Sequence, residues 1–334
     1  MNPSAFHSSD GPPCKRGFTL VELLVSMAVL VLLVVLVTQL TNGAASTIRS
    51  SGKHMDSDTQ ARLIFGRMSE DFSKMLKRPD VDYSTFKSAT PGMLPSPPYS
   101  PNIAVNTQTQ SGNDQLAFYA ETTGYYSGAG TAPGGAKKAA TSLVAYNTAA
   151  DPYTLAGKVN VLRRMGKTLG WEPNSGSWQN VAYLPILLTA QWPALFSTTP
   201  QDPDYQTIGN MVFRMEYTYL LKPNYASGGN QPARLSITPW DTTAIPPHTS
   251  VNGFQDVSAI VVAIAVMDSN SRTIVSTSGY KGMGDQLHDA QEGVDVASDW
   301  IASVNSPDFA ANAGIPKAAA SAVRIYQRYF YLGL

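Results

Sequence analysis

The chain has 334 residues with 24 Lys and Arg against 24 Asp and Glu, so its formal charge is zero and only 14% of its residues are charged. That balance argues against a nucleic-acid binder, which needs a basic surface to grip phosphate. The length accommodates one membrane element plus a soluble domain with a real core, and few charges with abundant Gly, Pro, Ser and Thr suit an extracytoplasmic β-rich domain better than a helical enzyme.

Residues 1–17 (MNPSAFHSSDGPPCKRG) are polar and contain the sole cysteine, Cys14. Lys15 and Arg16 stand immediately before an apolar run of 20 residues, Phe18 to Val37, in which Glu22 is the only ionisable side chain. Such a run matches a hydrocarbon core about 30 Å thick and predicts a membrane-spanning helix. The basic pair holds its leading end in the cytoplasm, so the bulk of the chain is exported. A carboxylate in such a helix costs about 2.5 to 3.5 kcal/mol near the bilayer centre and less toward the interface, which makes Glu22 a functional candidate in need of a partner. Two other readings share part of this pattern. A secretory signal peptide has an apolar core of about 7 to 15 residues; Gly43-Ala44-Ala45 would pass for its cleavage site, but the run here is longer and has Glu22 inside it. A plain signal anchor accounts for the length and leaves Gly17, Phe18 and Glu22 as coincidence.

Gly17-Phe18-Thr19-Leu20-Val21-Glu22, preceded by Lys15-Arg16 and followed by the unbroken apolar run, resembles the processing and methylation signal of type IV pilins and type II secretion pseudopilins. The resemblance implies that a prepilin peptidase cuts after Gly17 on the cytoplasmic side and methylates the new amino group of Phe18. It also implies an assembly role for Glu22, with Thr19 beside it: Glu22 meets the Phe18 amine of a neighbouring subunit, and two charges that are expensive in lipid become tolerable when paired. Cleavage removes the leader charges Lys15 and Arg16 together with Cys14, leaving a mature chain without thiol or disulfide. The implied partners are the prepilin peptidase, other pilin or pseudopilin subunits, an inner-membrane assembly platform and membrane lipid. The implied location is the inner (cytoplasmic) membrane, single-pass, with the N-terminus cytoplasmic and the C-terminal domain periplasmic, and then a filament. Tip-most K-type minor subunits characteristically lack this glutamate, so the chain looks able to dock beneath or beside a preceding subunit. The leader is longer than those of many pilins, which leaves the subclass open.

Beyond Val37 a helical pattern resumes toward Arg78. Ala61, Ile64, Phe65, Met68, Phe72, Met75 and Leu76 recur at steps of three and four and define one apolar face, with Arg62, Arg67, Glu70, Asp71 and Lys74 on other faces. Gly43 and Gly52 predict a bend or melted turn at the junction, and Pro79 ends the helix near Arg78. A continuous helix from Phe18 would be about 90 Å long. Prolines crowd residues 79–112, a predicted surface loop. Predicted strands follow at Gln115–Glu121, Ser142–Tyr146, Lys158–Arg163, Met211–Leu221, Ala259–Met267 and Arg272–Val275, the last two joined as a hairpin through Asp268-Ser269-Asn270-Ser271. Val323–Leu332 reads as a terminal strand whose aromatics suit cross-strand packing.

The division is therefore a leader at 1–17, a transmembrane and filament-core helix at 18–42, its amphipathic continuation at 43–78 and a β-rich extracytoplasmic domain at 79–334. The fold class is α+β and pilin-like, a long N-terminal helix packed on a mainly antiparallel β-rich domain. The fragment Phe65 to Tyr83 (FGRMSEDFSKMLKRPDVDY) and the hairpin around Asp268 are similar to the layout of J-type minor pseudopilins. The chain as a whole is similar to the Verru_Chthon cassette protein C group, whose role is undefined.

Chemistry beyond the N-terminus is sparse. Residues 127–138 (SGAGTAPGGAKK) have the glycine spacing of a phosphate loop, but Ala136 stands where the lysine belongs. Gly166-Lys167-Thr168 has the other half, with Val161 in place of the first glycine; both stretches read as surface loops. Asp285, Asp289, Glu292, Asp295 and Asp299 form the densest acidic stretch, and Asp285, Asp289 and Glu292 are the calcium candidates, because calcium takes six to eight oxygens. Their spacing fits a solvated helix face better, opposite Leu287, Ala290, Val294, Ala297 and Ile301. His7, His54, His248 and His288 are scattered without metal-ligand spacing, and no Gly-x-Ser-x-Gly elbow is present. Trp171, Trp178, Trp192 and Trp240 lie among Pro, Gly and Ser and read as buried loop anchors. The sequence thus predicts no enzyme and no cofactor but a pilin-like, minor-pseudopilin-type structural subunit. The alternative is a membrane-tethered module that recognises a secreted substrate, a glycan or a surface.

Overall fold

The computed structural model describes residues 19–77, 83–87, 102–103, 115–122, 141–150, 160–168, 205–226, 229–248 and 254–333. Two compact units divide the chain, Met1–Lys53 and His54–Leu334. Helix α1 (Leu20–Ser73) begins in the first and ends in the second. It continues through Gly43 and Gly52, so the predicted melted turn does not form.

The second unit is α+β with two main sheets. Its strands are β1 (Tyr83–Lys87), β2 (Asn102–Ile103), β3 (Gln115–Ala120), β4 (Ser142–Ala150), β5 (Asn160–Thr168), β6 (Tyr205–Gly209), β7 (Val212–Leu221), β8 (Asn224–Ala226), β9 (Gly229–Gln231), β10 (Arg234–Ser236), β11 (Val257–Met267) and β12 (Val323–Tyr331). One sheet has the order β2-β1-β3-β4-β5-β6 and the other β10-β7-β11-β12, while β8 and β9 form a separate pair. Among the described residues every pairing is antiparallel except that of β1 with β2. The predicted strands from Gln115 to Met267 and the terminal strand thus form; β4, β5 and β11 are longer than their sequence cores, and β3, β7 and β12 are a residue shorter.

The apolar face of α1 enters the core as the periodicity requires. Ala61, Ile64, Phe65, Met68, Phe72 and Met75 are all buried, whereas Leu63, one step off that face, is 70% exposed. They join Phe118 of β3, Tyr146 of β4, Leu162 of β5, Tyr217 of β7, Ile260 and Ile264 of β11 and Phe330 of β12 in one cluster that draws on both sheets. Phe72 is its aromatic centre, with ring centroids 5.2 Å from Phe118 and 5.0 Å from Phe330. The helix ends at Ser73, short of Arg78, because the chain turns to meet β3: the Leu76 N–H donates to the Tyr119 carbonyl at 2.8 Å and the Glu121 N–H to the Lys74 carbonyl at 2.9 Å. Pro79 lies outside the described residues.

Short helices cover the other face of the four-stranded sheet: α2 (Ser269–Thr273), α3 (Thr277–Gln286), α4 (Val296–Asn305), α5 (Phe309–Asn312) and α6 (Lys317–Ala320). With Ala263, Ala265 and Met267 of β11 they enclose a second cluster around Trp300, Met283, Leu287 and Phe309. Two predictions fail here. The hairpin around Asp268 does not exist, since Asp268 caps α2 by accepting from the N–H groups of Asn270 and Ser271, both at 3.1 Å, and β11 pairs instead with β12. The single acidic helix does not form either. It breaks between Gln286 and Val296, where Gly293 takes a φ of +75° and Asp295 caps α4 by accepting from Ser298 at 2.9 Å.

Candidate functional site

Gly17, Phe18, Lys15 and Arg16 lie outside the described residues; Thr19 and Glu22 open α1. The Thr19 N–H and the Thr19 hydroxyl both donate to Glu22 Oε2 at 3.0 Å, and the Glu22 N–H donates back to Thr19 Oγ1 at 3.3 Å. This is a reciprocal capping box, in which threonine at the cap and glutamate three residues on satisfy donors that the first helical turn leaves without partners. Thr19 and Glu22 are thus one structural unit. A negative charge near a helix N-terminus is favourable there, because the first-turn N–H groups carry partial positive charge.

The following segment, Leu20–Ala45, is long and apolar enough to cross a membrane, and its large apolar side chains are exposed. Leu24, Leu30 and Leu33 are typical of its side chains at 54–65% exposed. Its hydroxyls are satisfied within the helix, since Ser26 donates to the Leu23 carbonyl at 2.9 Å, Thr38 to the Val34 carbonyl at 2.8 Å and Thr41 to the Val37 carbonyl at 2.6 Å. Glu22 is the one ionisable group between Leu20 and Ala45, and a carboxylate has about four lone-pair sites, which the capping box does not saturate.

Among the described residues of the second unit the acidic candidates are engaged one by one. Asp285 pairs with Lys281 at 2.7 Å, Asp289 with Arg214 at 2.8 Å, and Glu292 accepts from the Ile237 N–H at 3.0 Å. Each calcium candidate is therefore engaged separately, and among the described residues no three His, Cys, Asp or Glu side chains converge as metal ligands. Gly166-Lys167-Thr168 belongs to β5 rather than to a loop, paired with β4 from Gly166↔Val144 to Thr168↔Ser142, so its backbone cannot wrap a phosphate. Residues 127–138 and Trp171, Trp178 and Trp192 lie outside the described residues. Trp240 is buried, as a loop anchor requires. His248 Nδ1 lies 2.7 Å from Asp256, and His288 Nδ1 lies 3.3 Å from Asp299.

The polar groups that sequence reasoning misplaced are structural. Asp71, read as a polar-face residue of α1, is fully buried; it receives Arg164 Nε at 2.6 Å and Nη2 at 2.8 Å, and the Tyr146 hydroxyl donates to it. Burial pulls the Arg164 guanidinium down, but the bonds and charge of Asp71 outweigh it and leave its pKa raised. Burial, and Asp71 beside it, push the Tyr146 hydroxyl well above the usual tyrosine range. A second buried network joins Arg214 to Glu216 at 3.0 Å and to Asp289, with the guanidinium over Trp300 at 6.0 Å, and so ties the 287–295 segment to β7. A third centres on Asp241, which accepts from Arg234, Asn224 and Thr243. Helical periodicity gives no hint that Asp71 is buried, because the partner that makes burial tolerable comes from a strand about 90 residues away.

No curated protein matches the chain at a significant level. The family model of the prokaryotic N-terminal methylation motif matches residues 13–38, which span the basic pair, Gly17, Phe18, the capping box and most of the apolar segment. Proteins with this motif are structural subunits, so the chain has a type IV pilin-like N-terminus on an α+β domain.

Proposed function

We propose that the chain is a minor-pseudopilin-like structural subunit of a type II secretion or type IV pilus-like filament. Prepilin peptidase removes residues 1–17, cutting after Gly17, and methylates the Phe18 amine. The segment 18–42 anchors the precursor in the inner membrane and becomes filament core, residues 43–78 continue it as an amphipathic helix, and the domain from residue 79 onward faces the periplasm. The observation that carries this reading is the match of the methylation motif to residues 13–38 around a single intramembrane acid, Glu22. Lipid and filament core are both apolar, so hydrophobicity gives little preference between them; packing and the pairing of Glu22 with a neighbouring Phe18 amine supply the difference. Thr19 orients the Glu22 carboxylate for that partner.

The test is intact-protein mass spectrometry of the chain extracted from membranes with and without a co-expressed prepilin peptidase. The reading requires a product that begins at Phe18 and carries one added methyl group, found only with the peptidase. Full-length chain under both conditions would reject it.

A further inference from the structure

We propose that the outer edge of β12 pairs with β12 of a second copy of this chain, antiparallel about a two-fold axis through Gln327. This goes beyond the filament reading and does not depend on it.

The edge differs from the others in the two sheets. At the other ends of the two sheets β2 has two residues, β10 has three, and β6 has five with a register shift against β5. Short or irregular edges are the usual protection against further pairing. β12 has nine residues, no proline, and an unshifted ladder to β11 from Met267↔Val323 to Ala259↔Tyr331. That ladder decides which backbone groups face outward. The Leu332 N–H donates to the Ser258 carbonyl at 2.9 Å. Antiparallel alternation therefore turns the N–H and C=O groups of Arg324, Tyr326, Arg328 and Phe330 toward β11, and those of Ile325, Gln327, Tyr329 and Tyr331 toward the open side. Among the described residues no hydrogen bond uses those outward groups; at the start of the strand the Val323 carbonyl, also outward, accepts from Arg324 Nη1 at 2.8 Å.

The occupant follows from where the charges sit. β12 carries two arginines, Arg324 and Arg328, and no acid. An axis through Gln327, the middle residue, pairs the strand with itself over its whole length. It sets Ile325 opposite Tyr329 and Val323 opposite Tyr331, β-branched against aromatic, which are favourable cross-strand pairs. Arg324 then faces Phe330 and Arg328 faces Tyr326. Moving the axis by one residue places Arg324 opposite Arg328, or Arg328 opposite itself, and like charges directly opposite are destabilising. The register of maximal overlap is thus free of the repulsion that its neighbours suffer. The recognition surface is ordered in advance: Tyr331 is 69% exposed and its ring stacks on Tyr329 at 6.4 Å between centroids. The Gln327 side chain is held at the face of the sheet, accepting from Ala297 of α4 at 3.1 Å and donating to Asp295 at 2.6 Å.

The experiment uses the full chain in membranes, with Cys14→Ser so that an introduced cysteine is the only thiol. In the proposed register a self-paired residue has its two Cα atoms about 5.5 Å apart, within disulfide range. Mild oxidation of the Gln327→Cys chain is expected to give a disulfide dimer, at about tenfold or more the yield of a Thr242→Cys control at an exposed loop position. Adding Tyr329→Pro, which removes an outward N–H and leaves the ladder to β11 intact, is expected to lower the yield about tenfold through loss of two symmetry-related hydrogen bonds. Because Gln327 also caps α4, the pair Ile325→Cys with Tyr329→Cys, which meet across the same axis, provides an independent crosslink. Yields equal to that of the control at both sites, crosslinks only to other proteins, or a Gln327→Cys yield that Tyr329→Pro does not change would overturn the proposal.

Discussion

At the scale of single residues, the second unit is held by carboxylates whose burial is tolerable only because each has a specific cation or donor. Asp71 is the clearest case, since α1 brings it into a site where the Arg164 guanidinium meets it with two nitrogens and Tyr146 adds a hydroxyl. Replacing it by alanine leaves a buried guanidinium without its counter-charge, a loss of about 3 to 5 kcal/mol. Thermal unfolding in detergent, followed by near-UV circular dichroism, is expected to show a large downward shift for Asp71→Ala and a much smaller one for Glu70→Ala, whose pairs with Arg67 and Lys74 lie at the surface. Asp241 gives a pH dependence of definite sign. Burial pushes its carboxyl up, but Arg234 and Thr243 outweigh burial and hold it below the ordinary range. Its contribution is therefore present above the unfolded value of about 3.9 and is lost as pH falls through the lower folded value. Acid titration of stability is expected to be shallower in this window for Asp241→Asn than for the parent; equal slopes would remove Asp241 from the acid transition.

At the scale of elements, the helices beneath the four-stranded sheet depend on close backbone approach as much as on apolar area. A Cβ at Gly282 of α3 would lie within 3.0 Å of the Ala313 carbonyl carbon and Cα and closer still to its oxygen, and backbone atoms cannot swing aside. Gly282→Ala is expected to cost about 1 to 3 kcal/mol by separating α3 from the turn after α5, whereas Gly284→Ala, with nothing within 4 Å, should be neutral or stabilising. The contrast is measurable by urea unfolding of the two variants side by side. The same region shows what sequence reading reached and where it stopped. The apolar face of α1 and the cores of β3, β4, β7, β11 and β12 were legible because periods of 3.6 and 2 are local properties of the chain. The stretch 285–299 was misread as one helix because its apolar spacing survives two real breaks, at Gly293 and at the Asp295 cap. Asp268-Ser269-Asn270-Ser271 was misread because the residues that favour a turn are those that cap a helix. What lay beyond reach was long-range pairing: Asp71 with Arg164, and Arg214 with Asp289, join residues whose sequence neighbourhoods carry no sign of each other.

At the scale of the whole molecule, a helical segment with exposed apolar side chains is joined to a domain with an extensive core. Among the described residues no three His, Cys, Asp or Glu side chains gather as metal ligands, while the first helical turn holds a carboxylate oriented by Thr19 at the head of an apolar helix. Thr19 and Glu22 were legible as a family signal, and their Thr-x-x-Glu spacing before an apolar run also carries the signature of a capping box, which the geometry shows formed. That box gives Glu22 a defined position, the preorganisation on which the proposed register contact rests. The measurement that bears most directly on the filament reading is quantitative immunoblotting of sheared or purified filaments from cells expressing the parent chain or Glu22→Ala, with membrane content and cleavage assayed in parallel. The expected result is normal membrane insertion and cleavage of Glu22→Ala with incorporation into filaments reduced about tenfold or more, the loss of one buried charge pair. Incorporation equal to that of the parent chain would contradict the role of Glu22 as the joint between subunits.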